Sequence, residues 1–215
     1  HIMGRGPVGA PALVKYNDKS ISEITEIGAA AKDAMVLIKT VTASSSATVS
    51  FVDGSDDVVL DDTYPIYLFK FISVSGNPGD QLLFNGSDDD SSHAYNITKT
   101  TTFFQAYQNE AGTSTGLSYS TSRDLAQATG FQDLIGTLGN ASDESCSGEL
   151  WLFNPSSTTF VKHFQSRITD TNAGSQDEHV AGYFNTTADI TAVQFKMDSG
   201  NIDAGTIKLY GIKDS

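Results

Sequence analysis

The C-terminal part of the chain alternates apolar and polar residues with a period of two. In residues 193–197 Val, Phe and Met alternate with Gln and Lys, and residues 206–210 continue the pattern with Thr, Ile, Lys, Leu and Tyr. Alternation places one set of side chains on a buried sheet face and the other in water, so each run predicts a β-strand. The segment between the runs contains Asp, Gly and Asn, which tolerate turn geometry, and the two runs together therefore predict a β-hairpin.

The order strand, Ser-Gly-Asn, Gly, strand occurs once more, earlier in the chain. The early copy spans residues 69–84 with its Ser-Gly-Asn at 75–77, and the late copy spans residues 195–210 with its Ser-Gly-Asn at 199–201. If the likeness reflects an internal repeat, both copies should form equivalent hairpins at the same topological position. Chance likeness between two strand-turn-strand units of a Ser- and Gly-rich chain is the alternative.

Strand-like runs extend over most of the chain, whereas helical spacing is rare. About ten to twelve such runs, separated by turn residues, predict an all-β fold, namely an antiparallel β-sandwich that is jelly-roll-like. Apolar residues have helical spacing in residues 20–32, and residues 125–138 are ambiguous. No linker divides the chain, so we expect a single β-sandwich domain over residues 20–215. Residues 1–19 are interpreted as a vector remnant followed by an extended N-terminal arm.

The charge balance is strongly acidic and excludes some classes of partner. Against 13 Lys and Arg residues the chain has 26 Asp and Glu residues, a formal net charge of -13. Because phosphate affinity comes mainly from Lys and Arg, this balance argues against nucleic-acid binding. Cys146 is the single cysteine, so neither an intrachain disulfide nor a Cys-based zinc site is available. No apolar run reaches the roughly 18 residues of a membrane span, and no signal peptide is visible. We therefore expect the protein to be made in a cytoplasm and to function without a membrane.

Motifs for catalysis are weak. Residues 112–116 read Gly-Thr-Ser-Thr-Gly, the spelling of a nucleophile elbow, but strand-like residues follow the serine where a helix is required. His93, His163 and His179 have no spacing typical of a metal site or an acid/base pair. No pair of carboxylates is singled out for glycoside hydrolysis. The sequence therefore predicts a protein that is not an enzyme and has no catalytic residues.

Two acidic loop segments offer the hard oxygen ligands that Ca²⁺ prefers. They contain the candidate metal ligands Asp53, Asp56, Asp57, Asp88, Asp89 and Asp90. The first segment lacks the Glu at the twelfth position of an EF-hand loop and the helices around it. We interpret these aspartates as solvated loop carboxylates by default, and a structural Ca²⁺ is the alternative. No other cofactor is expected.

Trp151 is the only tryptophan, and alternation places it on the same side of its strand as Phe153. Two interpretations are open. The pair could form an aromatic platform for a sugar, or it could pack into the core. Core packing is the commoner fate of a lone Trp and is the expectation here.

Residues 145–213 resemble the C-terminal part of structural proteins in the virions of tailed bacteriophages, especially phages of marine bacteria. The resemblance rests on residues 148–159, GELWLFNPSSTT, on residues 190–195, ITAVQF, and on residues 199–212, SGNIDAGTIKLYGI. It implies a jelly-roll-type β-sandwich that serves as a capsid-associated, tail or fibre component. Its motifs are turns and strands, so it implies no active site.

The expected function is that of a non-enzymatic virion structural protein, a capsid decoration or head- or tail-associated assembly component. Its partners would be other virion proteins, in a homo-oligomer with the arm at residues 4–17 contacting a neighbour, and its location would be the virion. The alternative is a carbohydrate-binding, receptor-recognition module of a phage tail fibre, with a host surface glycan as partner. An exposed aromatic pair in a groove favours the second function, and a broad apolar contact favours the first.

Overall fold

The computed structural model describes residues 34–139 and 141–213, together with the backbone of two short strands near the N-terminus. These strands, β1 (Lys15–Tyr16) and β2 (Lys19–Ser20), pair with each other within a first unit, His1–Asp33. All other strands belong to a second unit, Ala34–Ser215. The expected helical segment at residues 20–32 and, β1 apart, the expected N-terminal arm lie outside the described residues.

The second unit is built from strands in the part of the chain that the structure describes, which confirms the all-β prediction. The strands are β3 (Met35–Thr42), β4 (Val49–Val52), β5 (Ile66–Ser75), β6 (Leu82–Ser87), β7 (Lys99–Asn109), β8 (Thr115–Tyr119), β9 (Gln132–Asp133), β10 (Cys146–Phe153), β11 (Lys162–Thr171), β12 (Gly174–Phe184), β13 (Ala192–Met197) and β14 (Ala204–Ile212). The ambiguous residues 125–138 form loops around β9. Over residues 34–139 and 141–213 no helix is long and apolar enough to cross a membrane.

The strands form two antiparallel sheets with the connectivity of a jelly roll. The larger sheet has eight strands in the order β3-β14-β5-β10-β11-β12-β7-β8, and the smaller has four in the order β4-β13-β6-β9. Along the chain, the four strands β3, β5, β10 and β14 of the larger sheet are interleaved with the four of the smaller sheet, and only β6 and β9 follow each other within one sheet. This double Greek-key order is that of an eight-stranded jelly roll, so the predicted sandwich is confirmed.

Two inserted hairpins widen the larger sheet. One hairpin, β7-β8, lies between β6 and β9 in the chain, and the other, β11-β12, lies between β10 and β13. Both add beyond β10, where they form the continuous extension β11-β12-β7-β8. The extension is thus half of the larger sheet, and it is built from segments that are distant in sequence.

The hairpin prediction for the two Ser-Gly-Asn segments is wrong. β5 and β14 lie in the larger sheet, whereas β6 and β13 lie in the smaller one. Each segment therefore carries the chain from one sheet to the other and joins no paired strands. Alternation predicted the strands correctly but could not identify their partners, because pairing is decided by the whole sheet.

The two crossovers lie side by side and are hydrogen-bonded to each other. Gln81 N donates to Asp198 Oδ1 at 2.8 Å, and Asp198 N donates to the Gln81 carbonyl at 3.0 Å. Ser199 Oγ donates to Asp80 Oδ1 at 2.7 Å. At Gly205, whose φ is +111°, a Cβ would lie 2.6 Å from the Ser73 carbonyl, so only glycine fits beside β5.

An aromatic cluster fills the space between the two sheets of the jelly roll. Phe195 lies at its centre, with ring centroids 5.2 Å from Phe69 and 5.1 Å from Phe71. Phe84 contacts Phe164 at 4.9 Å. The interplanar angles of 64°, 80° and 84° are edge-to-face arrangements, which aromatic rings favour because of their quadrupoles.

The inner face of the extension continues this apolar core with Phe103, Phe164 and Phe184 and also carries buried polar side chains. Lys99, Asp170 and Glu178 have no exposed surface. Lys99 Nζ donates to the Gly130 carbonyl at 2.6 Å, and Gly136 N donates to Glu178 Oε1 at 2.6 Å. The connection between β8 and β10 therefore supplies backbone partners to this polar layer.

Two buried carboxylates of the polar layer are diagonal neighbours. The register pairs Ile168 with Glu178 and Asp170 with Gln176, on adjacent strands β11 and β12. Neither carboxylate oxygen of Asp170, nor Oε2 of Glu178, has a hydrogen-bond partner among the described residues. Burial raises the pKa of Asp170 to about 7 and that of Glu178 to about 8. The positive charge of Arg123 opposes both shifts without cancelling them.

Candidate functional site

Along the extension, the outer face of the larger sheet carries aromatic, charged and uncharged polar side chains. Along β11 burial alternates strictly, so His163, Gln165 and Arg167 point away from the core. The register places Gln165 opposite Trp151 on β10 and opposite Ala181 on β12. These three residues form one row across the outer face.

A trough lies on this face. It consists of two depressions of about 270 and about 490 Å³, which share Gln165 and Ala181 in their linings. The first depression is lined by Phe104, Glu149, Trp151, Gln165, Ser166, Arg167, His179, Val180 and Ala181. The second is lined by Thr100, Thr101, Thr102, Phe153, His163, Phe164, Gln165, Ala181, Gly182 and Tyr183. We call the two depressions together the outer trough.

Aromatic rings from different strands line the first depression. Trp151 belongs to β10, and its Nε1 donates to Glu149 Oε1 at 3.0 Å, which orients the indole. On the far side of β11, Phe104 and His179 stack with ring centroids 4.7 Å apart and planes 6° apart. Gln165 and Arg167 of β11 and the exposed Ala181 of β12 lie between the two sets of rings.

The expectation that Trp151 packs in the core is wrong. On β10, Leu150 and Leu152 have no exposed surface and belong to the core, whereas Trp151 and Phe153 are half-buried on the outer face. Alternation correctly grouped Trp151 with Phe153. It could not say which face of the strand meets the second sheet, because a period of two fits both choices.

Charged side chains at the first depression are paired with one another. Arg167 donates two hydrogen bonds to the Asp177 carboxylate, at 2.9 and 2.8 Å. His179 Nε2 lies 3.4 Å from Asp177 Oδ1. The hydrogen bond from Arg167 is the largest effect that lowers the pKa of Asp177. Because Lys70 Nζ lies 3.6 Å from Glu149 Oε2, positive and negative charges are balanced here.

The second depression combines rings with uncharged hydrogen-bonding groups. Phe153 and Tyr183 contribute rings, and Thr100, Thr102 and Gln165 contribute hydroxyl and amide groups. No Asp, Glu, Lys or Arg is among the residues that line it. Ring faces beside directional hydrogen-bonding groups suit ligands that have apolar faces and polar edges.

Sequence reasoning missed part of this site. His163, His179, Trp151 and Phe153 attracted attention, but Gln165, Ala181 and Phe104 did not. The available signal was the alternation in residues 162–171, which places every second side chain on one face. The missing information was that β7, β10, β11 and β12 are neighbours, since they come from two separate insertions and a jelly-roll strand.

The acidic segments meet in a separate pocket of about 600 Å³. Asp56 and Asp57, two of the predicted metal ligands, are exposed outside it. The aspartates that line it are Asp53, Asp61, Asp62, Asp88, Asp90 and Asp189. Within residues 34–139 and 141–213, no three His, Cys, Asp or Glu residues are arranged to hold a metal ion.

The loops themselves use some of these carboxylates. Asp53 Oδ1 accepts a hydrogen bond from Leu60 N at 2.7 Å. Asp89 accepts hydrogen bonds from Ser92 and Ser91, which lower its pKa. Such contacts are typical of turns closed by Asp. A structural Ca²⁺ stays the untested alternative to solvated loop carboxylates.

The Gly-Thr-Ser-Thr-Gly sequence lies in the loop of the β7-β8 hairpin. Asn109 Oδ1 accepts hydrogen bonds from the backbone N of Thr113 and of Ser114, each at 2.9 Å. β8 begins at Thr115, so a strand follows Ser114 where a nucleophile elbow requires a helix. This agrees with the interpretation of the motif as a loop.

The remaining histidine lies elsewhere. His93 is in the β6-β7 connection, where its Nδ1 is 3.5 Å from Thr191 Oγ1. The structure therefore brings His163 and His179 to the outer trough, one in each depression, and leaves His93 apart.

Comparisons with known proteins identify no family for this chain. No protein-family model, no curated protein and no solved structure matches it. The function therefore has to be argued from the outer trough and the surfaces around it.

Proposed function

We propose that this protein is a non-catalytic recognition module that binds a glycan in the outer trough. One observation carries the proposal. Rings from β10 and from the β7-β12 pair flank Gln165 and Ala181 on the outer face of a jelly-roll sheet. Aromatic rings that are not needed for the core and remain accessible to ligands are typical of a binding surface.

The chemistry of the outer trough suits a sugar. A pyranose ring has apolar faces of C–H groups that pack on an aromatic ring, and an edge of hydroxyl groups that require hydrogen-bond partners. Trp151 and the Phe104–His179 stack offer the ring faces. Gln165, which lines both depressions, offers an amide group, and Thr102 offers a hydroxyl group in the second depression.

Charge supports an uncharged ligand. The chain has a net charge of -13, and the cations at the outer trough, Arg167 and Lys70, face Asp177 and Glu149. An anionic ligand would have to compete with these carboxylates for both cations. Nucleic acid is disfavoured for the same reason, because phosphate binding depends on free Lys and Arg.

The resemblance of residues 145–213 to phage virion proteins supports a setting for this activity. A glycan-binding β-sandwich in a tail fibre would recognise a host surface glycan. Within this proposal the module belongs to a virion, and its partners are the host glycan and neighbouring virion proteins.

A glycan array followed by titration calorimetry tests the proposal. With the best neutral glycan of the array, we expect Trp151→Ala to weaken binding at least about tenfold, a loss of roughly 1.4 kcal/mol. Phe160→Ala is the matched control, because Phe160 is 69 % exposed and lies outside the outer trough. Absence of any glycan ligand, or equal loss in both variants, would contradict the proposal.

The proposal that the protein is not a catalyst has its own test. The protein is incubated with the same polysaccharide, and released oligosaccharide is measured over time. We expect no release. Sustained release that disappears in Glu149→Gln or Asp177→Asn would show that the outer trough is an active site and would overturn this part.

Assembly within the virion is the second candidate function, and the edge of the larger sheet favours it. Met35 and Leu37 of the edge strand β3 are 44 % and 51 % exposed. Leu37 lies opposite Tyr210, which lies opposite Leu68. An apolar row that ends at the edge strand of a sheet, as this one does among the described strands, is a common site of chain–chain pairing.

The oligomeric state distinguishes the assembly role from glycan binding. If β3 mediates assembly, Leu37→Lys should convert an oligomer to a monomer in light scattering behind gel filtration, while glycan affinity stays unchanged. A wild-type protein that is monomeric at high concentration would contradict the β3 interface.

A further inference from the structure

The two depressions of the outer trough follow each other along the strands. On β12, His179, Ala181 and Tyr183 point to the same face, and they line the first depression, both depressions and the second depression respectively. At about 3.4 Å per residue, His179 and Tyr183 are about 14 Å apart along the strand. The outer trough is therefore longer than a single sugar ring, and Ala181 lies at its middle.

Each depression has its own aromatic surface. On β10, Trp151 belongs to the first depression and Phe153, two residues further, to the second. The rings facing them are the Phe104–His179 stack in the first and Tyr183 in the second. A ligand that fills only one depression leaves the rings of the other in water.

We propose that the outer trough holds two adjacent sugar subsites and binds a neutral oligosaccharide that lies along β12 and crosses Ala181. This inference rests on the proposed glycan binding and specifies the class of glycan. We expect the ligand to lie along β12 because the aromatic residues of the two depressions, Trp151 and Phe153, succeed each other along β10. Strand β10 runs parallel to β12. Two subsites that are occupied by one chain gain affinity, since the second contact costs little additional translational entropy.

The residues that line the second depression favour an uncharged ligand. It contains Thr, Gln, Ala, Gly, Phe, Tyr and His residues and no Lys or Arg. A carboxylated, sulfated or phosphorylated sugar there would lose hydration without gaining a fixed counter-charge. In the first depression, Arg167 is held by two hydrogen bonds to Asp177.

Ala181 gives a specific way to separate the subsites. Its side chain is exposed, and strand β12 is paired on both sides by β11 and β7, so a larger residue would project into the outer trough without entering the core. Ala181→Leu should therefore obstruct the passage between the depressions. Ala126→Leu is the matched control, because Ala126 is also exposed and lies outside the outer trough.

The experiment uses calorimetry with the full chain and neutral manno-, gluco- and galacto-oligosaccharides of one to six units. For the series that binds, we expect affinity to rise at least tenfold from monosaccharide to the shortest chain that fills both subsites, and then to level off. Ala181→Leu should abolish this rise, so that monosaccharide and oligosaccharide bind the variant equally well, while Ala126→Leu behaves as wild type. Circular dichroism of both variants controls for folding.

The possible failures are distinguishable. If monosaccharide and oligosaccharide bind equally well in the wild type, the two-subsite inference is wrong and glycan binding stands. If sulfated or carboxylated versions of the same chains bind more tightly than the neutral ones, neutrality is wrong. If no member of any series binds, the proposed function fails together with this inference.

Discussion

The two halves of the larger sheet differ on their inner faces, because the buried polar side chains of this sheet all lie on the extension. Beneath the jelly-roll half lie aromatic rings, with Phe195 packed edge-to-face against Phe69 and Phe71. Beneath the extension, Phe103, Phe164 and Phe184 continue the apolar core, and fully buried polar side chains, among them Lys99 and Asp170, lie beside them. One sheet therefore carries both an apolar core and a polar layer.

The difference follows from what each half faces. The jelly-roll half faces a second sheet, whose backbone groups are already paired and whose inner side chains are apolar. The extension receives partners from the connection between β8 and β10, whose free backbone groups bind Lys99 and Glu178. A loop has backbone groups left free to satisfy a buried polar side chain, whereas the backbone groups inside a sheet already pair with one another. Stability should thus depend on the rings, and pH dependence on the polar layer.

The largest effect should come from the aromatic cluster. We expect Phe195→Ala to lower the free energy of unfolding by about 3–5 kcal/mol, because it removes a fully buried ring and leaves a cavity among others. Urea unfolding measures this loss. Phe160→Ala, at a ring that is 69 % exposed, should change stability little; similar losses in both variants would contradict the role of the cluster.

The polar layer should make the protein less stable as pH rises. The folded-state pKa values of Asp170 and Glu178, about 7 and about 8, exceed the ordinary 3.8 and 4.5. Between these limits the native state holds protons that the unfolded state has released, so stability falls from about pH 4 to about pH 8. Asp170→Asn should leave stability unchanged at pH 4 and raise it at pH 8 by about 1–3 kcal/mol.

Unfolding at a series of pH values measures the slope for wild type, Asp170→Asn and Glu178→Gln. Because the two carboxylates are neighbours, their titrations are coupled, and the double variant should gain less than the sum of the single gains. A wild-type stability in this pH range that is identical to that of Asp170→Asn would show that Asp170 is not protonated in the fold.

Lys99 should give a slope of the opposite sign and smaller size. Burial lowers its pKa from 10.5 to about 8. Between these values the unfolded state binds more protons, so stability rises with pH through this window. Lys99→Met should flatten this rise, because methionine has a similar length and does not titrate. A rise that persists in Lys99→Met would assign it to another group.

The smallest effect should come from the outer face. Arg167 and Asp177 form a paired but exposed contact, with Arg167 65 % exposed. We expect Arg167→Gln to change the free energy of unfolding by no more than about 0.5 kcal/mol, because exposed ion pairs contribute little. A loss similar to that of Phe195→Ala would show that the outer face supports the fold and is not reserved for binding.

Local sequence pattern predicted the strands well. The predicted runs at residues 193–197 and 206–210 correspond to β13 (Ala192–Met197) and β14 (Ala204–Ile212). Period-two alternation is a local property of the backbone, so it can be read from a few neighbouring residues. The same property grouped Trp151 with Phe153 before their face was known.

Pairing could not be predicted in this way. The two Ser-Gly-Asn segments satisfy every local signal of a hairpin, yet both cross between the sheets. The reason is that β13 finds better partners in β4 and β6, and β14 in β3 and β5, than either finds in the other. Competition among all strands of the domain decides this, and no single segment contains that information.

The sequence by itself determined the all-β class, the alternation within each strand and the acidic, cysteine-poor surface chemistry. Only the tertiary structure decided which face of β10 is buried, and so placed Trp151 in a trough and not in the core. It also brought Phe104, Gln165 and Ala181 together from three strands. The physical reason is range: strand formation depends on neighbouring residues, whereas a binding surface depends on which distant strands share hydrogen bonds.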